Sequence, residues 1–123
     1  MSTDLLAQTA YAATTPVRTP RGTEYLAFQK ITARLVQAQR DDAPMTEIAS
    51  AVLDNRRLWT TIALDVAGDG NQLPQMLRAQ LMYLAEFSLL SCTKAMRDKA
   101  ALRPMIEVNT SVMRGLAGEE GAS

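Results

Sequence analysis

The sequence contains no histidine, which removes the commonest general base and the commonest zinc ligand. Its one cysteine, Cys92, excludes an internal disulfide and any cysteine metal cluster, and suits a reducing cytosol. Aromatic residues are only 5% of the chain, few for the stacking platforms that RNA readers use. Neither charge is in excess: Lys plus Arg number 13, and so do Asp plus Glu. A general nucleic-acid binder needs surplus positive charge to displace counterions, so direct nucleic-acid binding is not expected. Long apolar runs are missing too. The most apolar stretch, Leu81 to Cys92, is too short to span a bilayer and is interrupted by Glu86, so it reads as a core helix. The first ten residues hold Asp4, no Lys or Arg and no long apolar run, so no signal peptide is expected. Asp41-Asp42 and Glu119-Glu120 fall in a turn and a tail, where solvation is the ordinary explanation. The sequence therefore predicts no enzyme, no cofactor and no metal site.

What remains is the composition of a small helical protein. The 123 residues make one domain, with 47% hydrophobic and 21% charged residues. A chain of this size buries roughly 65–70% of the surface it exposes when unfolded, so it folds without staples. Good helix formers are plentiful. Seven Met residues stand against two Phe. Methionine suits either an irregular core or an adaptable binding surface, and core filling is the ordinary role.

The chain is organised around Ile48 to Val66. Ile48, Val52, Trp59, Ile62 and Val66 recur at helical spacing, with Ala51 and Asn55 between them and no Gly or Pro. Trp59 is the largest packing unit in the chain, and the other helices are expected to surround it. Asn55 falls on the same apolar face. A buried amide there must find partners or cost about 1–3 kcal/mol, and a helix end or loop carbonyl is the expected partner. This central helix should run from about Met45 to Ala67. Arg40 to Pro44 forms the turn before it, and Gly68-Asp69-Gly70-Asn71 the turn after it.

Residues 1–15 suggest a short helix capped by Thr3 and stopped by Pro16, or a loosely docked arm. Thr19-Pro20 opens a second helix that runs to about Gln39, with Tyr25, Phe28, Ile31, Leu35 and Ala38 in one stripe. Lys30 and Arg34 share a face there, and with Arg18, Arg21 and Arg40 they make this third of the chain mildly basic; an ordinary solvated face is the favoured reading. Leu73-Pro74 opens a helix reaching about Lys99. It carries two stripes: Leu77, Leu81, Leu84 and Ser88 on one, and Met76, Tyr83, Phe87 and Leu90 on another. A helix apolar over so wide an arc is buried among neighbours or covered by a partner. Pro104 is expected to start the last helix, from Met105 to about Leu116, with Met105, Val108 or Asn109, Val112 and Leu116 facing inward. Gly115 and Gly118 should end it. The predicted fold is all-α: an antiparallel bundle of four main helices plus a short N-terminal helix, in one domain, with 1–18 as an arm and 117–123 as a tail.

In order and spacing the chain resembles FlaF, a small flagellar regulator of alphaproteobacteria. The resemblance rests on Ala10-Tyr11, Thr19-Pro20-Arg21, Asn55-Arg56-Arg57-Leu58-Trp59-Thr60 and Leu73-Pro74 with Leu77-Arg78. It continues through Leu81 to Thr93, Ile106-Glu107-Val108-Asn109 and Met113-Arg114-Gly115-Leu116. The chain departs from that pattern at Gly22. The resemblance implies a cytoplasmic flagellin-binding secretion chaperone, with FlbT and the flagellar export apparatus as further partners. It also implies the alternative of a post-transcriptional regulator acting with FlbT on flagellin mRNA. A groove lined by Met, Leu and aromatic residues suits the terminal segments of unassembled flagellin, which form amphipathic helices when packed. Met76, Tyr83, Phe87 and Leu90 are the expected contacts, with Arg56 and Arg57 on the rim; Asn55 and Trp59 are expected to be structural.

Overall fold

The computed structural model describes residues 20–68, 70 and 72–122, with side chains described between residues 25 and 115. The short helix expected within residues 1–18 lies outside the described residues. Every regular element described is helical: α1 (Pro20–Ala38), α2 (Met45–Ala67), α3 (Gln75–Ala95), a 3-10 turn (Lys99–Ala101) and α4 (Leu102–Ala122). Prolines set three of the starts. Pro20 is the first residue of α1, and Pro44 and Pro74 immediately precede α2 and α3. In each place the missing N–H is one that a helix start leaves unpaired in any case.

Short turns make consecutive helices antiparallel neighbours. Helix α1 packs on α2 and α4, and α3 packs on the same two, while among the described residues the diagonal pairs α1/α3 and α2/α4 bring no Cα atoms within 8 Å. The result is an antiparallel four-helix bundle. Two of its turns lie at one end and are tied together. Arg40, after α1, grips both carboxylate oxygens of Glu47 at 2.8 and 3.0 Å, and its own carbonyl accepts from Lys99 Nζ in the 3-10 turn. The carboxyl of Glu47 is held below its ordinary range chiefly by the hydrogen bonds from Arg40. These groups are exposed, so the pairing fixes the turn more than it stabilises the chain.

The core divides into two apolar clusters. At the end of the Arg40 turn lie Leu35, Ile48, Val52, Cys92, Leu102 and Met105; toward the other end lie Phe28, Leu58, Trp59, Ile62, Val66 and Ala85. Phe28 meets Trp59 edge to face, with ring centroids 5.6 Å apart. Between the clusters, buried polar residues come from all four helices, among them Thr32, Asn55, Ser88 and Asn109. Asn109 Nδ2 donates to Asn55 Oδ1 at 2.8 Å, and Trp59 Nε1 donates to Asn109 Oδ1 at 2.8 Å. The partner of Asn55 is thus a side chain of α4, not the main-chain carbonyl expected from sequence. A side chain one helix further away lay beyond what spacing along α2 reveals.

Two boundaries differ from the expected ones. Helix α3 stops at Ala95 instead of near Lys99, because Asp98 is extended and its carboxylate accepts from the Ala100 amide at 3.0 Å. The last helix starts at Leu102, two residues before Pro104, and places Leu102 in the core. Proline is tolerated there because the first turn needs no donor. That helix also runs through Gly115 and Gly118 to Ala122 instead of ending near Leu116. A glycine costs a helix roughly 1 kcal/mol, which weakens it without stopping it.

Candidate partner-binding surface

Helix α3 is where inside and outside depart from the usual amphipathic pattern. It contains no Gly or Pro and is rich in Leu, Ala, Gln and Met, which explains why it is a helix. Its fully buried residues, however, are small: Ala85, Ser88, Ser91, Cys92 and Ala95. Small side chains let its backbone lie close to α2. The Cys92 thiol reaches the Val52 carbonyl there, with Sγ to O at 3.7 Å. Leu77, Leu81 and Leu84 are half-buried at the margin.

Four large apolar residues point the other way. Met76 is 75% exposed, Tyr83 68%, Leu90 67% and Phe87 36%. An isolated exposed leucine needs no explanation, but four large apolar side chains on one face of one helix do. Of the two stripes predicted on this helix, the first turns toward the bundle and the second toward solvent. The second is a strip on the outside of a single helix, not a groove between helices. A shallow open depression of about 350 Å³ lies elsewhere, between α1 and α2, lined by Ala33, Arg34, Gln37, Glu47 and Ala51. It includes none of the four residues.

The two arginines expected on the rim are separated. Arg57 is exposed and lies 3.9 Å from Asp54 Oδ1, and Asp54 in turn pairs with Arg34 of α1. Arg57 therefore belongs to the side of α2 that faces α1. Arg56 is also exposed, and its charge acts weakly on Cys92 of α3. Burial pushes the Cys92 thiol up, while the Asn55 amide and the Arg56 guanidinium act more weakly in the opposite direction. The structure thus gathers Met76, Tyr83, Phe87 and Leu90 onto one surface, with Arg56 on the neighbouring helix and Arg57 facing away. Asn55 and Trp59 are completely buried in the polar middle of the bundle.

Three roles were not foreseen. Arg78, half-buried, sends Nε and Nη2 to the Val66 carbonyl at 3.1 and 3.0 Å and so closes the C-terminal end of α2. Asn109 joins two other buried polar groups. Lys94 and Arg97 stand exposed at the C-terminal end of the apolar strip, with no salt bridge among the described residues. The seven-residue repeat of Met76, Tyr83 and Leu90 is the sequence signal that could have pointed to their end of the strip.

Among the described residues no His, Cys, Asp and Glu cluster suited to a metal ion occurs, and no helix is long and apolar enough to cross a membrane. No curated protein matches the chain, and no solved structure does. A family model described as flagellar protein FlaF matches residues 7–116.

Proposed function

The chain belongs to the FlaF family of flagellar proteins, and from that membership we propose that it is a flagellin-binding chaperone. It holds unassembled flagellin in the cytoplasm, promotes its export and couples export to flagellin synthesis. The observation that supports this reading most is the strip of Met76, Tyr83, Phe87 and Leu90 on the outside of α3. Fully burying one such side chain contributes roughly 1.5–3 kcal/mol, from which the cost of ordering a client must be subtracted. Four of them suffice for a reversible grip. Methionine at one end tolerates related client sequences. Holding the terminal segments of flagellin keeps them from packing on one another before export, and the work is binding alone.

Direct contact with flagellin mRNA has less behind it. Arg34 and Arg40, from the mildly basic second helix of the sequence, are engaged by Asp54 and Glu47. Among the described residues the exposed aromatic side chains, Tyr83 and Phe87, stand among aliphatic neighbours and not in a basic furrow.

Co-purification with flagellin tests the proposal, comparing the wild-type chain with Tyr83→Asp and Leu90→Asp. Both positions are exposed, so both variants should keep the helical circular dichroism of the wild type and lose flagellin capture. Folded variants that bind flagellin with wild-type affinity would remove this surface from the account.

A further inference from the structure

We infer that the α3 strip is a coiled-coil seam for one amphipathic helix of the client, and that Lys94 and Arg97 select a client helix with acidic residues at one end. This rests on the chaperone reading and adds the form of its ligand. The spacing carries the first half. Met76, Gln80, Tyr83, Phe87, Leu90 and Lys94 alternate steps of four and three along α3. That is the repeat of a narrow seam between two helices, and it differs from the broader face by which a helix joins a globular core. From Met76 to Leu90 the apolar part spans about 21 Å, four turns of a partner helix.

Charge carries the second half. The seam ends in Lys94, with Arg97 one turn beyond, and neither has a salt-bridge partner among the described residues. Asp98 is nearby, but its carboxylate caps the Ala100 amide. The opposite end holds Gln75, Met76 and Arg78 and no acid. A second copy of this chain is therefore a poor occupant. Parallel pairing would set Lys94 against its own copy, and antiparallel pairing would set it against Met76 and Gln80. A helix with Asp or Glu in its first turn meets the basic end well, since acids are favoured at helix N-termini. It would then run antiparallel to α3. Glu86, exposed beside the seam, calls for a polar or basic residue midway along the client.

The experiment titrates three labelled synthetic peptides of about 18 residues, roughly five helical turns, against the full chain. The first carries leucines in the alternating spacing and two glutamates in its first turn. The second has the same composition with the leucines out of register. The third has lysines in place of the glutamates. The first should bind, the second at least about tenfold more weakly, and the third about threefold or more weakly. On a Lys94→Glu, Arg97→Glu variant the order of the first and third should reverse. Equal binding of all three, binding of none, or a wild-type dimer that Leu90→Asp converts to monomer would overturn the seam. Flagellin capture, run alongside, separates the two readings. Peptide binding without flagellin capture rejects flagellin as client and leaves the seam; flagellin capture without peptide binding rejects the seam and leaves the client.

Discussion

Trp59 and Asn109 stand on helices whose backbones do not touch, yet the indole N–H of one donates to the amide oxygen of the other at 2.8 Å. Asn109 completes the link by donating to Asn55, so one side chain of α4 serves two groups of α2. Ser88 Oγ and Thr32 Oγ1 lie buried at the same level without hydrogen-bond partners. The middle of this bundle is therefore polar, and Asn109 holds it together.

Replacing Asn109 by Ala should destabilise the chain by about 2–4 kcal/mol, since it strands the indole N–H and the Asn55 oxygen. Urea unfolding followed by tryptophan fluorescence measures this. The double variant Asn55→Leu, Asn109→Leu should lose less than the sum of the two single changes, because it removes stranded acceptor and lost donor together. Strict additivity would mean that the two amides do not act as a unit.

Asn55 shows how far the sequence could be read. Its place on an apolar helix face, between Val52 and Trp59, was enough to identify it as a buried amide. Its partner was not legible, because periodicity along one helix carries no information about the helix opposite. The four main helices were legible for the same reason that the pairing with Asn109 was not: spacing is local and pairing is not. On α3 the two apolar stripes were visible, but not which one faced inward. The small residues Ala85, Ser88, Cys92 and Ala95 decided that by allowing a close approach to α2, at the expense of the larger side chains.

Arg78→Ala should cost about 1–2 kcal/mol, through loss of two charge-assisted hydrogen bonds to the Val66 carbonyl. Arg78→Lys keeps the charge but not the fork, and should recover only part of the loss. Hydrogen exchange should show the added opening in the last turn of α2. Protection there equal to the wild type would remove Arg78 as its cap.

Burial favours the neutral form of Cys92, so the folded chain keeps this proton to higher pH than the unfolded chain does. The resulting stability is whole below the unfolded thiol's value, about 8.5, and is lost as pH rises from there through the folded value. Unfolding free energy should therefore fall faster with pH in the wild type than in Cys92→Ala. A thiol reagent should label the native chain only as fast as it opens. Parallel pH profiles for the two proteins would show that the thiol keeps its ordinary value.

Gly115→Ala should stabilise the chain by up to about 1 kcal/mol. Gly115 lies inside α4, and a methyl group there would meet nothing within 4 Å beyond its chain neighbours and its own turn of helix backbone. Thermal unfolding should shift upward. A downward shift would show that the flexibility of this turn, or a contact made only in solution, matters more than helix propensity.

The division of labour on α3 has an evolutionary corollary. Its inward surface is built from side chains that leave almost no room for change, whereas the outward row contributes little to holding the bundle together. Substitutions at Met76, Tyr83 and Leu90, the most exposed positions of that row, are therefore nearly free of folding consequences. On the chaperone reading proposed above, preference for one client or another can drift along that row while the scaffold stays put.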